Sequence, residues 1–203
     1  MTDPAVESRF DADAFLTWEA QQPEKHEYVG GEAFAMVGAR REHVVVSGNF
    51  FAAFKERLRG GACQAYVSDL KLRVEAADAF FYPDVMVSCD QGDQSATLFI
   101  RRPVLIAEVL SESTEAFDRG DKFAAYRSVD SLQEYVLVDI QARRVEVFRR
   151  TPEQDWLFHE YLPGCGDCVF PALGVSIPFD AVFENVNPPE EATGLDDGET
   201  AGG

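Results

Sequence analysis

The stretch PVLIAEVLS, residues 103–111, contains one charged residue, Glu108, within an otherwise apolar run. Because apolar residues occupy both faces of the pattern, we predict a central strand that is buried on both sides. An ionised carboxylate at such a position costs several kcal/mol unless a cation or a metal ion compensates for it. Glu108 is therefore a buried salt-bridge partner, a residue at the solvated end of the strand, or a functional carboxylate.

Further strand patterns lie on both sides of this stretch. They are CQAYVSDLKLRVE at 63–75, FFYPDVMVS at 80–88, EYVLVDI at 134–140, RRVEVFRR at 143–150, DWLFHEYL at 155–162 and a short stretch at about 175–179. Helices are predicted from about Asp13, from about Arg41 to Arg59 and from about Asp118 to Ser128. These patterns predict an α/β (α+β) fold with a mixed central β-sheet flanked by helices.

The patterned part of the chain has the size of one domain, residues 14–186. Residues 1–13 are acidic and have no periodic pattern, and residues 187–203 are rich in Pro, Gly and acidic residues. We therefore predict a flexible N-terminus, a single domain and a disordered acidic tail. Within the domain, Gly30-Gly31 predicts a tight hairpin.

The charge and composition argue against several classes of protein. The chain of 203 residues has 18 basic and 36 acidic residues, and a formal net charge of −18 argues against a general polyanion-binding surface. No apolar run approaches the roughly 20 residues that a membrane helix needs, and no secretory signal is visible. We expect a cytoplasmic protein that does not enter membranes, with its four cysteines as reduced thiols.

Two more charged residues, Asp84 and Lys122, could form a functional site together with Glu108. Asp84 opens a strand pattern, although a Pro-Asp pair alone is typical of a turn. Lys122 lies on the first turn of a predicted helix, where a solvated charge is the usual role. Two acidic residues on neighbouring strands can hold divalent cations, which lower the pKa of bound water, and a nearby lysine offsets negative charge on a phosphate. Together, the three residues suit the hydrolysis of phosphodiesters.

Three segments resemble the Uma-two family of bacterial endonucleases. They are residues 26–50, 82–89 and 103–139, and they carry Pro-Asp-Val, Glu-Val-Leu-Ser and Asp-x3-Lys-x3-Tyr in that order. The resemblance spans about Phe15 to Phe183. It implies a restriction-endonuclease-like core of the PD-(D/E)xK superfamily, with DNA as the substrate.

The resemblance also implies a set of site residues. Asp84 and Glu108 would be ligands of Mg²⁺ or Mn²⁺. The wider superfamily has its lysine two positions after the glutamate, where this chain has Leu110, and the resemblance implies that Lys122 supplies the amine instead. Glu27 is either a further acidic residue of the site or a solvated hairpin position. Because cleavage of both DNA strands often uses two sites about a two-fold axis, we also expect a homodimer.

Other polar residues favour structural roles. Asp118 and Asp121 are typical of helix caps, and a satisfied hydrogen bond is the expected role of His43. Asp69 favours a solvated strand face, with a DNA-contacting basic strip as the alternative. The CxxC at 165–168 lacks a second ligand pair for zinc and favours a loop.

Two functional hypotheses follow from the sequence. The first is a metal-dependent endodeoxyribonuclease, a hydrolase that uses Mg²⁺ or Mn²⁺. The second is a non-catalytic nuclease-fold module for binding or assembly, which the acidic charge and Leu110 favour. The second hypothesis predicts that no divalent ion binds at Asp84 and Glu108.

Overall fold

The computed structural model describes residues 11–36 and 38–186. Its strands are β1 (His26–Val29), β2 (Glu32–Ala35), β3 (Gln64–Val67), β4 (Lys71–Val74), β5 (Ala79–Phe81), β6 (Val85–Ser88), β7 (Phe99–Ile100), β8 (Pro103–Val109), β9 (Glu134–Asp139), β10 (Arg144–Arg150), β11 (Trp156–Tyr161), β12 (Asp167–Phe170) and β13 (Val175–Pro178). Its helices are α1 (Ala12–Glu19), α2 (Arg41–Arg57), α3 (Gln91–Ser95), α4 (Glu115–Phe117), α5 (Phe123–Tyr126) and α6 (Phe179–Val182). A 3₁₀ turn at Glu75–Ala77 and a π-helical turn at Asp118–Lys122 complete the helical segments of this part of the chain. The predicted flexible N-terminus at 1–13 and the predicted disordered tail at 187–203 lie almost entirely outside the described residues, so both stay predictions.

The strands form one six-stranded sheet, one five-stranded sheet and a separate hairpin. The order in the six-stranded sheet is β11-β10-β9-β8-β6-β3, and the order in the five-stranded sheet is β2-β1-β5-β4-β7. β8 lies inside the larger sheet, where it pairs in parallel with β9 and antiparallel with β6. Residues 105–109 of β8 are all buried, as the apolar run predicts. The mixed α+β fold class is confirmed.

One face of the six-stranded sheet packs against α2, α6 and the β12–β13 hairpin. Val46, Phe50 and Phe54 recur at helical spacing along α2 and belong to the same buried cluster as Phe170 of β12. The rings of Phe50 and Phe54 lie 6.1 and 5.2 Å from that of Phe170, centroid to centroid. Burial of each such ring contributes about 1.5–3 kcal/mol to folding. This packing fixes α2 against the sheet.

The other face packs against the five-stranded sheet and the helical segment after β8. Met86 and Ile106 from the larger sheet form one buried cluster with Leu72, Phe81 and Tyr126. The ring of Phe81 meets that of Tyr126 edge to face at a centroid distance of 5.4 Å. Side chains of β6 and β8 on this face therefore point into the space between the two sheets.

The helical segment after β8 differs from the prediction. It runs from Glu115 to Tyr126 through the π-helical turn, rather than from about Asp118 to Ser128. Asp118 lies inside this segment and is buried, so the prediction that Asp118 caps the helix is wrong. Asp121 also lies within the segment and does not act as an N-terminal cap. The π-helical turn places Asp118 and Lys122 on the same buried face.

The predicted single strand at 63–75 forms two strands that belong to different sheets. The chain turns at Asp69, which has a φ of 114°, so that β3 joins the larger sheet and β4 joins the smaller one. Arg73 of β4 is buried, donates to Asp78 and lies over the ring of Phe80. The alternative predicted for Asp69 was a basic strip formed with Lys71 and Arg73, which share its side of the strand pattern. The burial of Arg73 contradicts that alternative at Arg73.

The cysteines also differ from the prediction. A disulfide joins Cys63 and Cys89, so the expectation of four reduced thiols is wrong. The antiparallel register of β3 against β6 pairs Gln64 with Ser88, so Cys63, one position before Gln64, lies opposite Cys89, one position after Ser88. Cys165 and Cys168 are free thiols. No helix in residues 11–36 and 38–186 is long and apolar enough to cross a membrane.

Candidate active site

The two acidic residues singled out on neighbouring strands lie side by side in the structure. Asp84 directly precedes β6, and Glu108 is the sixth residue of β8, one position beyond the Val85–Ala107 pair. The backbone N–H of Asp84 donates to Glu108 Oε2 over 3.1 Å, and that of Val109 donates to Asp84 Oδ2 over 2.8 Å. Each carboxylate is thus held by the backbone of the other strand, so the pair is fixed by the sheet register itself.

Lys122 completes this cluster from the π-helical turn. Its Nζ lies 3.0 Å from Glu108 Oε1, 3.2 Å from Glu27 Oε1 and 3.4 Å from Asp118 Oδ1. The Lys122 side chain is only 8% exposed, which excludes the solvated charge that a first-turn lysine usually provides. The Lys122 ammonium group therefore lies beside Glu108, although the residue two positions after Glu108 is Leu110 and not a lysine.

Glu27 belongs to the cluster and is not a solvated hairpin position. Its side chain is 14% exposed, and its Oε1 accepts from the backbone N–H of Tyr82 over 3.3 Å as well as contacting Lys122. The β1–β2 hairpin at Gly30-Gly31, with φ values of 57° and 97°, presents this strand to the site. Of the two roles left open for Glu27, the structure thus favours the site.

Tyrosine hydroxyls support the cluster from the buried side. Tyr126 OH donates to Glu108 Oε1 over 2.8 Å, and Tyr135 OH donates to the backbone carbonyl of Asp118 over 2.9 Å. Both phenol groups are fully buried. Sequence reasoning did not give Tyr126 a role, although its spacing of four residues from Lys122 is the signal that could have found it.

Burial and charge shift the protonation equilibria of the cluster. Burial raises the pKa of Glu108 to about 8, against the opposing effect of the Lys122 ammonium. Burial alone would lower the pKa of Lys122, but Glu108, Glu27 and Asp118 raise it well above its usual value. Three carboxylate oxygens within 3.4 Å of Lys122 Nζ account for this rise. Lys122 is therefore held as a cation among three carboxylates.

His43 approaches the same pair of acids from the other side of the sheet. It lies on the first turn of α2, and its Nε2 is 3.2 Å from Asp84 Oδ2. Burial alone would lower the pKa of His43, but the Asp84 carboxylate raises it above its usual value. The predicted satisfied hydrogen bond is present, and its partner is a candidate metal ligand. The sequence does not identify that partner, since 41 positions separate the two residues.

Two other candidates lie outside the cluster. Asp69 pairs with Lys25 through side chains that are 76% and 44% exposed, which agrees with a solvated position. Cys168 is buried and Cys165 is exposed, and neither belongs to a group of three or more potential metal ligands among the described residues. Neither Asp69 nor the CxxC segment joins the acidic cluster.

The donor set fits a divalent cation that is also bound by water and substrate. No group of three or more His, Cys, Asp or Glu side chains in the described residues is arranged to hold a metal ion by itself. Mg²⁺, however, commonly takes one or two carboxylates and completes its shell with water and phosphate oxygens. Asp84 and Glu108 offer two carboxylates, each held by a backbone N–H of the other strand, beside a lysine that contacts three carboxylates. Asp84 and Glu108 therefore fit Mg²⁺ or Mn²⁺ bound partly by water and substrate. They do not fit a metal ion whose ligands all come from the protein.

Comparisons with known proteins agree with the fold and with the family resemblance. The family model Uma2, described as "Putative restriction endonuclease", matches residues 12–173. Uncharacterized protein slr1290 of Synechocystis sp. (strain PCC 6803) is 35% identical over 178 residues, which cover 88% of this chain and 93% of that protein. Uncharacterized protein sll1609 of the same organism is 33% identical over 150 residues, which cover 73% of this chain and 85% of that protein.

A solved structure shares the fold at low sequence identity. It is a protein of Anabaena variabilis ATCC 29413, described as "a putative nuclease belonging to DUF820", with a TM-score of 0.69 and 16% identity. The match covers 86% of this chain and 97% of that chain. At this identity the likeness shows the fold alone, and that fold is the mixed α+β architecture described above.

The solved structure and the family model assign the chain to a fold class and to a protein family. The class is that of mixed α+β proteins that share the fold of the solved protein described as "a putative nuclease". In this chain, a buried cluster of acids and one lysine lies between the two sheets. The chain belongs to the Uma2 family, the Uma-two family of the sequence analysis, and the family description indicates a nuclease. The roles of Asp84, Glu108, Lys122 and Glu27 and the identity of the metal stay predictions.

Proposed function

We propose that this protein is a metal-dependent endonuclease that hydrolyses phosphodiester bonds of DNA. The observation that carries the proposal is the arrangement of Asp84 and Glu108, two carboxylates fixed by reciprocal backbone hydrogen bonds, with Lys122 Nζ 3.0 Å from Glu108 Oε1. The family description, which indicates a restriction endonuclease, supports the same activity. A chain of net charge −18 repels DNA, but a cation bound at the acidic cluster would attract a phosphate to the site.

Each residue of the cluster would have a separate task. Asp84 and Glu108 would hold Mg²⁺ or Mn²⁺, which when bound lowers the pKa of a water molecule and neutralises charge on the phosphate. Lys122 would remain protonated and offset the negative charge that develops on the phosphoryl oxygens. Glu27 and Asp118 would keep that ammonium in place, because both carboxylates contact it.

The proposal is tested by cleavage of supercoiled plasmid, linear duplex and single-stranded DNA with Mg²⁺ or Mn²⁺. We expect the wild type to cleave at least one of them, and we expect Asp84→Asn and Glu108→Gln to lose at least 100-fold in rate, a loss of about 2.7 kcal/mol or more of transition-state stabilisation. Glu112→Gln is the matched control, because that side chain is 84% exposed and outside the cluster. Equal rates in all four proteins would assign the cleavage to a contaminant. Failure on every substrate would favour the non-catalytic binding or assembly module.

The homodimer is part of the proposal, because two sites about a two-fold axis suit cleavage of both strands. Sedimentation equilibrium measures this directly. We expect a species of twice the 22.5 kDa mass of one chain. A single species of one chain mass, with cleavage retained, would limit the proposal to an endonuclease that acts as a monomer.

A further inference from the structure

One edge of the six-stranded sheet is a long and exposed strand, β11. It pairs with β10 on one side, and no strand of the described residues lies on its other side. β11 has six residues, whereas β3, β2 and β7, which form the other edges of the two larger sheets, have four, four and two. The outward N–H and C=O groups of such an edge are a template for a further strand.

The sequence of β11 lacks the features that usually keep sheet edges apart. Monomeric proteins commonly protect an edge strand with lysine, proline or a β-bulge. The stretch WLFHEY at 156–161 contains no lysine or proline, and its register against β10 runs from Trp156 to Tyr161 without a bulge. Its one acidic side chain, Glu160, accepts from Arg144 of β10 over 3.4 Å. β11 is therefore suited to pairing with another strand.

Exposed apolar side chains are concentrated at this edge. Eight large apolar side chains of the described residues are exposed, and four of them lie on or beside β11: Leu157, Phe158, Leu162 and Val169. Leu157 and Phe158 are 63% and 55% exposed and point to opposite faces of the sheet. Val169 lies beside the strand, because its N–H donates to Tyr161 OH over 3.0 Å. A strand added along β11 would thus cover apolar surface on both faces.

We propose that β11 pairs antiparallel with β11 of a second copy of this chain, about a two-fold axis at Phe158. The inference rests on the homodimer of the proposed function and assigns its interface. Registers centred on Phe158 and on His159 each pair five residues of one strand with five of the other. The register at Phe158 sets the two Phe158 rings opposite each other and Leu157 opposite His159, whereas the register at His159 would set Phe158 opposite Glu160.

The charges beside the edge support a second copy as the partner. In the register at Phe158, Glu160 lies opposite Trp156 of the second copy. The guanidinium group of Arg150 lies over the Trp156 ring, 4.9 Å from its centroid. Among the described residues, the hydrogen bonds of Arg150 go to the Gln154 amide and to backbone carbonyls, and not to a carboxylate. The two-fold therefore brings each Glu160 carboxylate towards a guanidinium group that binds no carboxylate within its own chain.

Sedimentation equilibrium of the full chain and of two oppositely charged variants tests this register. Moderate salt screens the repulsion between two chains of net charge −18, and we expect the wild type to form a dimer of twice 22.5 kDa. Phe158→Lys and Phe158→Glu each place like charges opposite each other at the axis. We expect the dimer dissociation constant of each to rise at least tenfold, which corresponds to about 1.4 kcal/mol. An equimolar mixture sets lysine opposite glutamate, and we expect it to dimerise at least tenfold more tightly than either variant alone.

Two further variants separate pairing at the edge from an effect on folding. Leu157→Lys changes a side chain that is largely exposed in the single chain, and we expect it to raise the dissociation constant at least tenfold as well. Leu98→Lys is the matched control, because Leu98 is 58% exposed and precedes β7, away from this edge. We expect the control to keep the dissociation constant of the wild type. Circular dichroism verifies that each variant is folded.

The outcomes distinguish this interface from the proposed function. A dimer that is unchanged in folded Phe158→Lys and Leu157→Lys would overturn the β11 interface and leave the nuclease and its homodimer intact. Two monomeric Phe158 variants whose mixture stays monomeric would overturn the register. A monomeric wild type that cleaves DNA would overturn the interface and leave the nuclease intact. Charge-dependent pairing at Phe158 in a protein that cleaves no DNA would support the interface and contradict the nuclease.

Discussion

The substitution Lys122→Met tests whether the buried ammonium holds the acidic cluster together. Methionine has nearly the length and volume of lysine, so packing changes little and the charge alone is removed. In the wild type, Nζ contacts oxygens of Glu27, Glu108 and Asp118, whose side chains are 14%, 4% and 4% exposed. The variant leaves these carboxyl groups in a region of low polarity without a cation.

The expected loss of stability follows from that burial. Removal of one partner from a buried ion pair typically costs 3–5 kcal/mol, and we expect a decrease of about that size in the free energy of unfolding of Lys122→Met at pH 7.5. The carboxyl groups can avoid part of this cost by binding protons. Burial already raises the pKa values of Glu108 and Asp118, and we expect both to rise further without the lysine. A raised acid pKa costs stability as the pH increases, so the deficit grows from pH 5 to pH 8.

The assay is urea unfolding followed by circular dichroism at pH 5, 6.5 and 8, in EDTA so that no metal ion replaces the ammonium. Lys25→Met is the matched control, because Lys25 pairs with Asp69 at an exposed position and its loss should cost less than about 1 kcal/mol. The reasoning would be refuted if Lys122→Met lost no more stability than this control, or if its deficit did not depend on pH.

Three further predictions concern the scaffold around the site. Replacement of both Cys63 and Cys89 by serine should lower the free energy of unfolding by about 3.5 kcal/mol, since the disulfide closes a loop of 26 residues; calorimetric melting with and without reductant measures it. Phe170→Ala should cost about 3–5 kcal/mol in urea unfolding, because the ring is fully buried against α2. Asp78→Asn should cost less than about 1 kcal/mol at pH 7, because solvent screens the half-exposed side chain. Hydrogen bonding from Arg73 lowers the pKa of Asp78, so its contribution is present above about pH 4 and is lost as the pH falls further, as stability curves of both proteins will measure.

The elements that sequence reasoning predicts well are those with strong local patterns. The apolar run at 103–111 predicts β8 because a strand buried on both faces is apolar at nearly every position, and in β8 Glu108 is the one charged residue. α2 is predicted to within two residues at its C-terminal end, since its buried stripe and the following glycines are both local signals. The pairing of Asp84 and Glu108 follows once their strands are neighbours.

The contacts that the sequence does not determine are those set by long-range packing. The periodicity of an α-helix gives no sign of the π-helical turn, so Asp118 was predicted as a cap although it is buried beside Lys122. The contact of His43 with Asp84 depends on how α2 packs across the sheet edge. The Cys63–Cys89 disulfide depends on the register of β3 against β6, which neither strand specifies alone.

The central claim is that Asp84 and Glu108 bind a divalent cation, and calorimetric titration with Mn²⁺ tests it most directly. The wild type and Glu108→Gln are compared under conditions in which both proteins are folded. Glutamine keeps the shape of the side chain and an oxygen that can accept from the Asp84 N–H. We predict one Mn²⁺ per chain for the wild type and at least a tenfold weaker affinity for Glu108→Gln. Equal Mn²⁺ affinity in the two folded proteins, or no binding to the wild type with DNA present, would contradict the claim.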